Sequence, residues 1–382
     1  MKPSCLLSAV AVLSLLLTAP VQAEMRGEAA VAAIGGDGQA ARDDAGYTAF
    51  ATAMREAGIP GAQLLHGKGN EATLYCVGTT RNDADGKAVD AHTVFQAASL
   101  SKVVGAYVAL RLVDAGVIDL DVPLWQYWPS PRLAGNVPAQ AITARMVLGH
   151  TSGLPNWQIS PADPAIDHTA LESLFAPGQA FAYSGEGFYL LQRTLEQLTG
   201  KTWEQLAREQ AFEPLGMGSS HYLATPRFQP HKAYGHHADG RLERERVFAW
   251  ENTAWTLSTT AADYQRFMLK ALLAGEGLQP ATHAAMLAPA SDAIDPRAES
   301  QPDRRIAWGL GVGLQHEDGR RLAWHWGDNP GFKAFFALDR DSGQHLVLLT
   351  NSENGPQAYR ELLQRFIGTG QYPALDWVQA QP

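Results

Sequence analysis

Ser99 and Lys102 stand three residues apart at the mouth of the apolar run "VFQAASLSKVVGAYVALRLVDAG", residues 94–116. From Val103 to Leu110 this run is hydrophobic almost all round, which predicts a buried helix. A lysine in its first turn meets the positive end of the helix dipole, a poor place for a cation. One reading makes Ser99 a helix N-cap and Lys102 a solvated side chain. The chemical reading starts from spacing: positions i and i+3 share a helix face, so the amine can approach the serine hydroxyl. Burial and the dipole both depress a lysine pKa, and a neutral amine is a base. The same dipole favours negative charge developing beside Ser99 during acyl transfer. On this reading Lys102 activates Ser99 as a nucleophile.

Other reactive residue types carry weaker patterns. His150 invites a Ser-His-Asp triad, but only by residue type. His231, His236 and His237 fall in "HKAYGHHADG", which lacks metal-ligand spacing and reads as a solvated loop. Gly309, Gly311 and Gly313 do not open a helix, so they suggest strand packing rather than a dinucleotide site. Cys76, in the strand-like "ATLYCVG", reads as a buried inert thiol. No Gly-x-Ser-x-Gly elbow is present, which counts against an α/β-hydrolase.

The chain has 382 residues and a formal charge of −9. Lys2, the apolar run Cys5–Leu17 and Val21-Gln22-Ala23 form a secretory signal pattern, with Cys5 at the wrong end of the run for a lipoprotein. Cleavage after Ala23 leaves 359 residues, ample for a real core, with Cys76 as the one cysteine and therefore no internal disulfide. The expected protein is exported, periplasmic or secreted. With no basic cluster it is not expected to bind nucleic acid or an anionic membrane surface. No later run approaches the roughly 20 apolar residues of a membrane span.

The elements that must position Ser99 come from both ends of the chain. Residues 24–45, rich in alanine and glycine, read as a flexible arm. Tyr47–Gly58 predicts a short amphipathic helix, and Ala62–His66 with Ala72–Thr79 a hairpin. Residues 117–285 give helical stripes with Gly/Pro stops: "ALESLFAPG", "GFYLLQRTLEQLTG", "TWEQLAREQAF" and "AADYQRFMLKALLAG". Then "RIAWGLGVGLQ", "RLAWHWG", "FKAFFALD" and "HLVLLTNS" predict four strands, closed by a helix over "QAYRELLQRFIG". The economical arrangement is a mixed α+β fold. An antiparallel sheet built from 46–116 and 286–382 is flanked by helices, with a mostly helical domain, 117–285, inserted.

These stretches resemble, in order from about residue 47 to 377, the serine β-lactamase and penicillin-binding-protein superfamily. The branch is that of class C β-lactamases, DD-peptidases and related esterases. "FQAASLSK" is similar to its Ser-x-x-Lys element, and "ITARMVLGHTSGLP" to its Leu-x-x-His-Thr-Ser-Gly-Leu segment. "EPLGMGSSHY" and "TAADYQRFM" resemble its helical middle. Tyr183-Ser184-Gly185 stands where the family has Tyr-x-Asn, and His325-Trp326-Gly327 where it has Lys-Thr-Gly or His-x-Gly. The resemblance implies a β-lactamase/transpeptidase-like fold and an acyl-enzyme on Ser99, with no metal or cofactor. Lys102 becomes the proton partner and Tyr183 the second member of the acid/base pair, ionising below its usual pKa beside an ammonium. Gly327 would let substrate lie along the strand edge. The backbone N–H groups of Ser99 and Asp328 would form the oxyanion hole, and His150 would belong to a structural loop.

Two departures bear on substrate. Gly185 replaces an asparagine whose amide holds the acyl side chain, and His325 replaces a fixed cation for the substrate carboxylate. Some DD-peptidases and D-aminopeptidases of the superfamily also use His-x-Gly; together the two departures weaken recognition of an anionic amide and leave room for a smaller, neutral ester. Trp157 and Trp326 are candidates to wall an apolar acyl pocket. The expected partner is thus a small ester, amide or peptide. The reading is a serine hydrolase, first an esterase, then a DD-carboxypeptidase or D-aminopeptidase-like peptidase, then a β-lactamase. A penicillin-binding sensor that acylates without turnover is the rival from another class.

Overall fold

The computed structural model describes residues 31–34 and 44–380, apart from 246, 247, 249, 299–302 and 318. The expected signal peptide, 1–23, and most of the expected arm lie outside the described residues. Within that arm, however, Val31–Ile34 forms a strand rather than free chain. The strands in chain order are β1 (Val31–Ile34), β2 (Gly61–Lys68), β3 (Glu71–Gly78), β4 (Phe95–Gln96) and β5 (Ser258–Thr259). They continue with β6 (Ile306–Trp308), β7 (Gly313–Glu317), β8 (Arg320–Asn329), β9 (Phe332–Asp339) and β10 (Gln344–Thr350).

Eight of them make one sheet in the order β1-β3-β2-β10-β9-β8-β7-β6, antiparallel except for the edge pair of β1 with β3. β4 and β5 pair separately beside the nucleophile turn. Central strands are apolar on both faces, because helices cover both. Leu64 and Leu65, Phe335 and Phe336, and Leu348 and Leu349 accordingly divide between two core clusters. One cluster holds the Ser101–Asp114 helix and the helical middle. The other holds the helices Ala45–Glu56, Pro356–Phe366 and Pro373–Gln379. Every residue from Ser101 to Leu110 is buried, as its all-round hydrophobicity predicts. No described helix is long and apolar enough to cross a membrane.

Three expectations change. "ALESLFAPG" forms no helix, because long-range partners claim its backbone: Leu171 N–H donates to Arg132 O and Leu174 N–H to Gly153 O. "RIAWGLGVGLQ" is two strands, β6 and β7. Gly311 turns the chain between them at φ +84°, where an added Cβ would come within 2.2 Å of the Ala106 Cβ. That glycine serves a tight turn packed on the central helix, not a strand. His236 is buried rather than solvated. Its Nδ1 bonds Asn351 O at 2.8 Å and its Nε2 accepts the Asn82 N–H at 2.9 Å, strapping a loop to the sheet.

Candidate active site

Ser99 sits in a single 3-10 turn, Ala98–Leu100, that feeds the Ser101–Asp114 helix. Ala98 has φ +50°, a strained conformation for a non-glycine residue, and it persists because the turn is pinned on every side. Ala97 N–H donates to Leu257 O, Tyr264 Oη to Leu100 O and Tyr222 Oη to Ser101 O. The Ser101 hydroxyl donates to Ala98 O and accepts the Leu257 N–H. β8 closes the remaining side. A Cβ on Gly327 would lie 2.3 Å from Ala97 O, so this glycine lets the strand touch the nucleophile turn. On the side where a Cβ would stand, the close approach is to the protein's own backbone.

Lys102 is almost fully buried, and its Nζ lies 3.2 Å from Ser99 Oγ. It donates to Ala254 O at 2.9 Å. That carbonyl is fixed by Ala254 N–H to Asn252 Oδ1 and Thr253 N–H to Gln192 Oε1. No carboxylate pairs with the amine among the described residues. Burial alone therefore brings its pKa down to about 7. A neutral amine can donate one N–H to Ala254 O and offer its lone pair to the serine proton.

Tyr183 stands beside them, with Lys102 Nζ 4.7 Å from its ring centroid and thus over the face rather than against the oxygen. Burial pushes the phenol above its ordinary range. The two oxygens do not meet in hydrogen-bonding geometry, and the Tyr183 hydroxyl is buried without a partner. The expectation of a phenol ionising below its usual pKa is therefore reversed. Burial thus favours the neutral form of both the Tyr183 phenol and the Lys102 amine.

Two histidines back this pair. His150 Nδ1 accepts the Ser184 N–H at 3.0 Å, and its ring packs 4.5 Å from that of Tyr183, with φ +56° at its own backbone. It supports the Tyr183 turn and forms no triad. His325 is fully buried, stacked on Trp326 at 5.0 Å with Nδ1 donating to Trp326 O. Burial and the nearby Lys102 lower its pKa to about 3, so it is neutral. It lies behind the cleft wall rather than on it, a correction to its expected place at the substrate.

Ser99 opens onto a cleft of about 560 Å³ walled by Tyr183, Trp157, Trp255, Trp326 and Asp328. Gly185 begins the helix Gly185–Thr199, whose N-cap Ser184 accepts the Gly187 N–H. The Trp157 indole fills the space beside it: a Cβ on Gly185 would lie 2.3 Å from Trp157 Cζ2. An aromatic ring occupies the place of a side chain. Trp255, Tyr222 and Tyr264 went unrecognised in the sequence, where nothing in their spacing ties them to Ser99. Cys76 is buried far from this chemistry in β3, its thiol pKa pushed up to about 12 by burial.

The beta-lactamase family model matches residues 48–368. Penicillin-binding protein 4 of Amycolatopsis lactamdurans is 26% identical over 74% of this chain and 78% of its own. Esterase EstB of Burkholderia gladioli is 28% identical over 54% of this chain and 57% of its own. Among solved structures, a class C beta-lactamase superposes with a TM-score of 0.70 at 19% identity, covering 85% of this chain and 96% of that one. The chain belongs to the beta-lactamase family, with the fold of that family's β-lactamases and DD-peptidases. By class it is a serine hydrolase.

Proposed function

We propose that this protein hydrolyses small esters that bear no carboxylate, through an acyl-enzyme on Ser99. The observation that carries the chemistry is a buried lysine with no carboxylate partner, 3.2 Å from a serine that faces the cleft. The neutral Lys102 amine takes the Ser99 proton as Oγ adds to the ester carbonyl. The tetrahedral oxyanion lies between the backbone N–H groups of Ser99 and Asp328. The alcohol leaves with the proton that Lys102 took from Ser99, beside the Tyr183 hydroxyl. Water then adds to the acyl-enzyme, giving its proton back along the same groups and releasing the acid.

The substrate preference rests on what the cleft offers. Trp157 fills the space beside Gly185, and His325 is neutral and buried. Arg297, the cation among the described residues of the cleft wall, is tied in two hydrogen bonds to the buried Asp295 carboxylate. Penicillins and C-terminal D-Ala-D-Ala peptides both carry a carboxylate that this wall leaves uncompensated. Export to the periplasm or medium belongs to the same reading, resting on Lys2, Cys5–Leu17 and Ala23. N-terminal sequencing of the mature protein should then begin at Glu24.

The deciding experiment follows turnover and intact mass with a fluorophosphonate, short-chain p-nitrophenyl esters, nitrocefin and a D-Ala-D-Ala peptide. Esters should show the highest kcat/KM. Faster cleavage of nitrocefin or the peptide would overturn the ester ranking, and a stable penicillin adduct without turnover would make the protein a sensor.

A further inference from the structure

The cleft beside Ser99 combines indole faces with one unbalanced negative charge. Trp157, Trp255 and Trp326 are each partly exposed on its wall. At its edge Asp328 shows 62% of its side chain to solvent, and its partner Lys333 only 8%. Lys333 Nζ contacts Asp328 Oδ1 at 2.7 Å but also pairs with Glu353. Two carboxylates share one ammonium, and the carboxylate is the member that faces the cleft. The other charges on the described wall, Asp295 and Arg297, neutralise each other. A chain of formal charge −9 adds a long-range field of the same sign.

Aromatic faces attract cations through their quadrupole, and a carboxylate nearby adds a Coulomb term. We propose that the cleft selects esters carrying an ammonium group, quaternary or primary, seated on its indoles with Asp328 as counter-charge. This deepens the ester reading and rests on it. The side chain of Asp328 thereby acquires a role separate from that of its backbone N–H. Trp157, by covering Gly185, converts a site for amide recognition into one for a cation.

The test compares carbon and nitrogen isosteres of equal shape. One pair varies the alcohol: butyrylcholine against 3,3-dimethylbutyl butanoate. The other varies the acyl group: p-nitrophenyl 4-(trimethylammonio)butanoate against p-nitrophenyl 5,5-dimethylhexanoate. The cationic member of at least one pair should lead in kcat/KM by about 5-fold or more, the range of a partly desolvated cation–π contact. That ratio should shrink in 0.5 M salt, where the Debye length falls to about 4 Å, and fall in Asp328→Asn, which keeps its backbone N–H and leaves only the indole contribution. Neutral members that match or beat their cationic partners in both pairs would overturn the proposal. A separate readout needs no ester turnover: choline should slow fluorophosphonate labelling of Ser99 more than 3,3-dimethylbutanol does at equal concentration. Failure of every ester to turn over would sink the esterase reading, whereas equal protection by the two alcohols would sink the cation site.

Discussion

Two buried cations, Lys102 and Arg132, sit on opposite terms with their surroundings. Arg132 forms a fork with Glu186, Nη1 to Oε2 at 2.7 Å and Nη2 to Oε1 at 3.1 Å, and donates Nε to Thr169 O. Glu186 in turn accepts the Gln158 N–H at 2.9 Å. Every strong donor and acceptor there is answered, so the pair joins the 156–171 loop to the Gly185–Thr199 helix without reactivity. Lys102 is equally buried but has a carbonyl, a hydroxyl and two aromatic rings in place of a carboxylate. Its charge is what burial makes costly, and the protein resolves that cost by letting the amine be neutral. One cation ties the fold together; the other, on the function proposed here, serves as a base. They are also linked, because Gln158 follows Trp157, so the structural pair holds the indole over Gly185.

The sharpest break between the two sites is at the nucleophile. Ser99→Ala should abolish hydrolysis and fluorophosphonate labelling while far-UV circular dichroism and Tm stay near wild type. Labelling that moved to Ser152 or Ser184 would instead place the chemistry elsewhere.

Replacing the unpaired cation comes next. Lys102→Met should cost about 10²–10⁴ in kcat, the usual weight of acid–base catalysis. Tyr183→Phe should do comparable damage, with the double mutant far from additive because the two act as a unit. In the wild type, kcat/KM should rise through about pH 7 as the amine loses its proton. His325, at about 3, should add no limb of its own in that range. Stability should rise with pH as well, over a higher window. The folded pKa of about 7 lies below the ordinary 10.5, so the unfolded chain binds the extra proton between those values. The cost of burying Lys102 is therefore full below pH 7 and fades toward pH 10. Lys102→Met should raise Tm, most below pH 7 and least near pH 10. A fall in Tm at every pH would show that the amine stabilises the fold after all.

At the paired cation the expected effects invert. Arg132→Met leaves Glu186 buried without its partner and should destabilise by about 3–5 kcal/mol. Arg132→Met with Glu186→Leu should recover much of that loss in chemical denaturation, since neither charge is then stranded. A single variant as stable as wild type would remove the contrast between the two sites.

The smallest effect is at Gly185. Its side-chain-free Cα leaves room for Trp157, so Gly185→Asn alone should not improve nitrocefin relative to an ester. Combined with Trp157→Ala, which vacates the space, the asparagine amide should narrow that ratio by about 2–13-fold, the worth of one neutral hydrogen bond of about 0.5–1.5 kcal/mol. Kinetics with both substrates on both variants checks this. An equal gain from the single variant would show that Trp157 does not guard the position.

Much of this was written in local pattern. Ser-x-x-Lys at the start of an all-apolar helix predicted a buried lysine beside a serine, because helical spacing and dipole sign are properties of a few consecutive residues. Alternating and continuous apolar runs marked β2, β3, β8, β9 and β10 for the same reason. Failures came where distant chain supplied the partner. "ALESLFAPG" has a helical stripe, yet Arg132 O and Gly153 O take its N–H groups. Val31–Ile34 looks like linker until β3 offers it a parallel edge.

Within the site the division is similar. Residue types and the family resemblance singled out Ser99, Lys102 and Tyr183, and the structure brings the three side chains together. Types and resemblance could not say which of the last two is the base, since that depends on how completely each is desolvated and which charges lie within a few ångströms. Nor could they place Trp157 against Gly185, 28 residues away, or leave Asp328 and Glu353 sharing Lys333. A sequence carries spacing along the chain, and so it determines which groups a local element presents. Burial, pairing and the shape of the cleft are properties of space between elements, and only the packed tertiary structure decides them.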